Sequence, residues 1–300
     1  MMNSQVKSYN ILYKPIIKNG DYLFSKKLEF PFPVEIHFTR MEEFENENCF
    51  KVLVLSNESY MSPNRATISD VVANHEKYDL ILCTDDEIVA FCRNAYRFPY
   101  GSTWLNRGDL DHPDGLGRYK EGVSIFEPKE KDFGISFLAS WYKIDRPGYS
   151  LRKQLWNRQD EIKLKKNFYS STKCFASGVN PLPGSEKDPL FDTQYHVCIE
   201  NQPIGNYFTE KIVDCFLTET IPVYWGCTNI GDYFDLDGVI LFATIDELIE
   251  KVNKLTPEYY EDRIEVIKEN KKRAIKFANF DERIFKEIMK HDRTNNNDPK

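Results

Sequence analysis

The residues best suited to chemistry in this 300-residue chain gather in one segment, VCIENQPIGNYFTEKIVDCFLTETIPVYWGC, residues 197–227. Asn201 closes an apolar run, Tyr207 follows, and Thr209, Glu210 and Lys211 open a stretch whose apolar positions Ile212, Val213, Phe216 and Leu217 share one helical face. Thr209 is an N-cap type of residue. A helix start offers free N–H groups and the positive end of the dipole, which together make an anion site. A lysine in the first turn opposes that dipole, so Lys211 makes sense beside a bound anion. Glu210 repels a phosphate but accepts hydrogen bonds from sugar hydroxyls. Asn201 both donates and accepts, and Tyr207 brings a phenol with a stackable face. These types in this order suit a ligand with phosphates and sugars, a nucleotide sugar. The plain alternative, a capped and solvated helix start with a local salt bridge, stays open on spacing alone.

The elements that must position these residues follow from apolar patterning. FKVLVLSN and YDLILCTDD are short apolar runs ending in polar residues, as buried parallel strands do, and SPNRATISDVVANHEK between them has helical spacing. That is a βαβ rhythm and predicts a layered α/β domain. Residues 106–131 are polar, charged and glycine-rich, which fits a surface connection. A second series follows it: FGISFLASW as strand, GYSLRKQLWNRQDEIKL as helix, YHVCIEN as strand, TEKIVDCFLTE as helix and IPVYWG as strand. GVILFA and the amphipathic segments TIDELIEKVNKL and PEYYEDRIEVIKENKKRAIKFANF complete it. The expected architecture is α/β, two Rossmann-like domains facing a cleft. Residues 1–130 would form the first domain, 131–285 the second, and 286–300 a disordered tail. In open parallel sheets ligands bind beyond the carboxyl ends of strands, so the loops after Ser140 and Asn201 matter most.

The run CIENQPIGNYFTEKIVDCFLTETIPVYWG resembles the donor-binding signature of the α1,3-fucosyltransferases, glycosyltransferase family 10. Glu200, Asn201, Tyr207, Thr209, Glu210, Lys211, Pro222 and Gly226 fit that pattern. The resemblance implies the GT-B glycosyltransferase fold, with residues 1–130 as the acceptor side and 131–285 as the nucleotide-sugar donor side, and an inverting transfer of fucose from GDP-fucose to a glycan hydroxyl. It carries Asn201, Tyr207, Glu210 and Lys211 over as donor-binding residues. It adds Arg152, in GYSLRKQLW, as an arginine that helps to hold the diphosphate, a task suited to a permanently charged, bidentate group. The order VLVLSNESYMSP then KYDLILCTDDE nominates Glu58 as catalytic base, with Asn57 where the family has glycine; Asp85, Asp86 and Glu87 are the alternatives. No cofactor or metal is implied. The acceptor would be an oligosaccharide or a lipid-linked glycan. A transferase using another nucleotide sugar and a non-catalytic carbohydrate-binding descendant remain the other readings.

Composition narrows the classes further. A net charge of −7 without a Lys/Arg stripe argues against nucleic-acid binding. No apolar run has the length of a membrane span and the N-terminus lacks the apolar core of a secretory signal, so a cytoplasmic protein is expected, soluble or peripherally membrane-associated. Seven cysteines without a CxxC pair suggest reduced core thiols rather than a disulfide frame or zinc site. DLDHPDG at 109–115 fails the alternation of a calcium loop, and DLD at 235–237 reads as a surface turn.

Overall fold

The structure is a computed structural model that describes residues 30–44, 47–55, 65–105, 130–140, 146–171, 180–182, 187–278 and 280–291. The described residues divide into two compact units.

In the first unit, β1 (Val34–Phe38), β2 (Phe50–Leu55), β3 (Leu80–Cys83) and β4 (Ala95–Arg97) form a parallel sheet in that order. Helix α1 (Ile68–Asn74) links β2 to β3, and α2 (Asp86–Phe91) links β3 to β4. Thr67 and Asp70 start α1 with a reciprocal capping box, which satisfies two otherwise orphan N–H groups. Strand alternation sends Val52, Val54, Leu80 and Leu82 to one face and Leu53, Leu55, Ile81 and Cys83 to the other, and both faces are buried. The cover of the first face is the C-terminal helix α8 (Phe280–His291), whose Ile284 and Ile288 are fully buried.

That helix changes the expected division of the chain. The first unit ends at Tyr100 and regains the chain at Phe280, where the sequence placed boundaries at 130 and 285. Residues 286–291, expected in a disordered tail, are helical, and residues 292–300 lie outside the described residues. Two isoleucines four apart on a charged helix are a weak local signal; the sheet face that they cover is more than two hundred residues away in sequence.

The second unit holds β5 (Asp132–Ala139), β6 (Lys165–Ser170), β7 (Thr193–Ile199), β8 (Ile221–Trp225) and β9 (Ile240–Leu241), all parallel, in the order β6-β5-β7-β8-β9. Helix α3 (Pro147–Asn157) lies between β5 and β6, and α4 (Glu210–Leu217) between β7 and β8. After β9 come α5 (Ile245–Val252), α6 (Pro257–Glu261) and α7 (Ile264–Ala278). Every residue of the central strand β7 is buried. Val197 and Ile199 join Ile135, Phe137 and Val223 on one face, and Cys198 joins Phe216 and Tyr224 on the other. The chain leaves β5 to one side for β6 and returns to its other side for β7. The strand order therefore reverses between β5 and β7, the place where open α/β sheets leave a crevice at their carboxyl ends. No described helix is long and apolar enough to cross a membrane.

Candidate functional site

Between the carboxyl ends of β5 and β7 sits Arg152, on the second turn of α3 and almost fully buried. Its Nε and Nη2 both donate to the carbonyl of Ile199, Nη1 donates to the Ser140 carbonyl at 3.0 Å, and Nη2 also donates to Asn201 Oδ1 at 3.0 Å. The guanidinium thus ties the two strand ends across the switch point and orients Asn201. Burial lowers its pKa from the ordinary value, and Glu200 is the largest opposing influence. Helix α3 reaches these strand ends because residue 148 is glycine: a Cβ there would lie 1.9 Å from the Glu200 carbonyl oxygen.

Glu200, one residue beyond β7, is fully buried and serves the start of α4. Its carboxylate accepts the backbone N–H of Thr209 at 2.8 Å and the Thr209 hydroxyl at 2.9 Å. Thr209 in turn caps α4, its Oγ1 accepting Lys211 N at 3.3 Å and Lys211 Nζ at 2.9 Å. Lys211 Nζ stands 3.3 Å from Glu200 Oε2 and 3.3 Å from Glu210 Oε1. A second lysine outside the motif, Lys187, places its Nζ 3.2 Å from the same Glu210 oxygen. Burial alone would raise the Glu210 carboxyl; Lys211 and Lys187 outweigh it and hold the group well below the usual carboxylate range. From below, the Cys198 and Cys215 thiols each donate to the Lys211 carbonyl at 3.2 Å, and their sulfurs are 3.3 Å apart.

The loop from β7 to α4 is held as firmly. Asn206 adopts a left-handed backbone (φ 61°), its N–H donates to Asn229 Oδ1 at 2.7 Å, and its own Oδ1 accepts the Tyr233 hydroxyl at 2.7 Å. At the end of β8, a Cβ on Gly226 would fall 2.4 Å from Glu200 Cγ, so only glycine leaves room for that carboxylate.

The predicted residues Arg152, Asn201, Glu210 and Lys211 therefore share one place at the carboxyl ends of β5 and β7. Tyr207 belongs to the same loop, but its ring is buried, with 2% exposure, and offers no stackable face; the loop turned by Asn206 carries it inward. Glu58 lies outside the described residues. Of its alternatives, Asp85 is buried in an ion pair with Arg65 at 2.7 Å, Asp86 pairs with Arg97 at 2.5 Å on the surface, and Glu87 is exposed. Asp235, in the second DLD, caps a short 3-10 turn by accepting Asp237 N at 3.0 Å. Among the described residues no group of three or more His, Cys, Asp or Glu side chains is placed to hold a metal ion.

Sequence reasoning missed two participants and one role. Glu200 was counted in the motif but given no role, and Lys187 carries no local signal. Asp214, on the buried face of α4, accepts the Thr103 hydroxyl at 2.6 Å and Trp104 N at 3.1 Å, and so anchors residues 103–105 to the helix. Burial pushes its carboxyl up to about 7, against the pull of Lys187 and of the Thr103 hydrogen bond. A polar residue facing inward from an amphipathic helix was the available sign.

Chemically, Arg152, Lys187 and Lys211 stand among the carboxyls of Glu200, Glu210 and Asp214 around a helix N-terminus, a mostly buried shell of opposed charges. Its edge reaches solvent at Lys211, 22% of whose side chain is exposed beside the N–H groups that open α4.

No family model matches the chain. Over 69 residues it is 32% identical to the alpha-(1,3)-fucosyltransferase FucT of Helicobacter pylori. That match takes in 22% of this chain, and the chain spans 14% of the length of that relative. Among solved structures it is similar to an α1,3-fucosyltransferase (16% identity, 85% of this chain and 76% of the other covered, TM-score 0.49). It is also similar to an α1,3-fucosyltransferase with GDP-fucose (19% identity, 89% and 76% covered, TM-score 0.42). A third likeness is to the T4 phage β-glucosyltransferase (12% identity, 79% and 81% covered, TM-score 0.36).

Proposed function

We propose that this protein is an inverting glycosyltransferase of the α1,3-fucosyltransferase kind, moving fucose from GDP-fucose to a hydroxyl of an oligosaccharide or lipid-linked glycan. The observation that carries the reading is the position of Lys211. It stands in the first turn of α4 at the carboxyl ends of a parallel sheet, braced by Glu200 and Thr209 and beside the strand-order reversal that Arg152 spans. The short match to the H. pylori fucosyltransferase and the motif from Glu200 to Gly226 support it.

In this reading the diphosphate lies against Lys211 and the N–H groups opening α4, with Arg152 adding permanent charge from behind Asn201. Asn201 and Glu210 hydrogen-bond donor hydroxyls, and Tyr207 shapes the loop from within. Glu58 is the proposed base: its carboxylate takes the acceptor hydroxyl's proton as the oxygen attacks the anomeric carbon and GDP departs in line. Negative charge gathering on the leaving diphosphate meets fixed cations and N–H dipoles, which need no reorganisation as the bond breaks. The proposed chemistry asks for no metal or other cofactor, and the proposed setting is the cytoplasm or its membrane face.

The test is mass spectrometry of GDP-fucose incubated with oligosaccharides ending in galactose, N-acetylglucosamine or glucose, alongside thermal shift with GDP and with UDP. Stabilisation by GDP and a fucose-sized mass gain on one acceptor are expected, with the gain lost in Glu58→Ala. Stabilisation by UDP alone would assign a different nucleotide sugar. Nucleotide binding without donor consumption across the panel would leave a binding protein.

A further inference from the structure

Lys187 lies outside the motif, yet it meets the centre of the site. Its Nζ is 3.2 Å from Glu210 Oε1, the oxygen that Lys211 Nζ approaches at 3.3 Å, so two ammonium groups share one carboxylate oxygen. Glu210 is the more enclosed member, its side chain 5% exposed against 18% for Lys187 and 22% for Lys211. On its other side Lys187 rests 4.2 Å from the centre of the Trp104 ring, a cation–π contact that fixes the ammonium where it is. Trp104 is itself held through its backbone N–H by Asp214. Lys187 is thus backed by a chain of contacts running through Trp104 to α4, and Lys211 is braced separately by Thr209 and Glu200.

This arrangement matters once Lys211 takes a ligand. The Lys211 ammonium is shared among Thr209, Glu200 and Glu210, and Glu200 also has the Thr209 donors, so the contact it can best release to a phosphate is the one to Glu210. With Lys211 as the sole partner, that release would strand a buried carboxylate without a counter-charge, a strongly unfavourable state. Resting on the anion-binding reading of Lys211, we infer that Lys187 is a positioning residue: it keeps Glu210 paired and in place, so that Lys211 can exchange its Glu210 contact for a ligand phosphate. Lys187 touches no ligand in this scheme and acts through Glu210.

The experiment is a double-mutant cycle read by calorimetric binding of GDP, which carries the diphosphate that Lys211 would bind; any contact of Glu210 with the ribose is absent from both E210Q proteins and cancels in their comparison. Lys187→Met should weaken GDP binding about tenfold or more with Glu210 present, and by less than about twofold in the E210Q background, where no carboxylate is left to strand. Lys187→Arg should restore affinity to within about threefold of the parent, since a guanidinium can hold the carboxylate and stack on Trp104. A merely structural role would make the K187M loss equal in both backgrounds, and that result would overturn the inference. So would K187M binding GDP as tightly as the parent. If K187M does not fold, the K187M/E210Q protein compared with E210Q decides, with equal affinities expected and a loss refuting. A parent that binds no GDP would remove the reading of Lys211 itself, a failure distinct from a parent that binds while K187M is indifferent.

Discussion

The carboxylate of Glu200 accepts both the backbone N–H of Thr209, at 2.8 Å, and its hydroxyl, at 2.9 Å. A strand-end residue thereby caps the cap of a helix that starts several positions later, and in doing so presents its second charge partner, Lys211. Removing this carboxylate would leave a buried N–H and hydroxyl without their acceptor. Glu200→Ala is expected to lower stability by about 3–5 kcal/mol, and Glu200→Gln, which keeps an acceptor, by about 1–3 kcal/mol. Urea unfolding checks this; an alanine variant as stable as the parent would show that the contact contributes nothing.

Two glycines near the site should behave in opposite ways. Gly148→Ala drives a methyl to within 1.9 Å of the Glu200 backbone carbonyl, and backbone on both sides cannot yield cheaply. At Gly205 the nearest atoms to an added methyl would be 3.6 Å away, ordinary contact distance. Gly148→Ala should cost about 3 kcal/mol or more by forced displacement of α3 from β7, while Gly205→Ala stays within about 0.5 kcal/mol. Equal melting temperatures for the two variants would contradict the close packing of α3.

Arg152 is predicted to matter before any ligand is added. Its described donors go to strand-end carbonyls and to Asn201, so Arg152→Lys, with a single ammonium in place of the fork, loosens the β5–β7 crevice in the free protein. A loss of about 1–3 kcal/mol in urea unfolding without ligand is expected. A surface arginine waiting for phosphate would instead leave the free protein unchanged.

The pH dependence of stability carries two opposing slopes. Asp214, raised to about 7 from 3.8 by burial, binds its proton more tightly when folded. Its stabilising contribution is complete below 3.8 and is lost as pH rises through about 7. His196, whose Nδ1 meets the Ser136 hydroxyl at 2.7 Å, is pushed from 6.5 down to about 3 by burial, with Lys187 adding repulsion. Its contribution is complete above 6.5 and is lost as pH falls toward about 3. Asp214→Asn removes the first slope and exposes the second. Urea unfolding at steps between about pH 4 and pH 8 should show the variant gaining stability with pH more steeply than the parent; parallel curves would refute it.

Much of this protein is written locally. The helix α4 is legible in Thr209 and the apolar stripe from Ile212 to Leu217, and β2, β3, β7 and β8 are legible as apolar runs, because capping and strand burial act over a few neighbouring residues. The grouping of Asn201, Glu210 and Lys211 follows from a strand and a helix joined by a short loop. The strands that escaped notice lack such a signal. In β1, Glu35 and His37 interrupt the apolar pattern, and their burial is supported by pairing with each other at 3.0 Å and, through His37, with Tyr78 at 2.9 Å. In β6, the lysines of KKNFYS suit an edge strand and hide it.

What the sequence by itself determined is therefore the α/β alternation, the cap at Thr209 and the position of a cation in the first turn of α4. The tertiary structure alone decided that Glu200 faces Thr209, that Lys187 shares the Glu210 carboxylate, that Arg152 closes the β5–β7 crevice, and that Tyr207 turns inward. It also decided that α8 belongs to the first sheet. The reason is physical: local propensity is set by neighbours a turn or two away, whereas a buried charge is placed by partners that chain topology brings from distant segments, and only the folded packing fixes which partners those are.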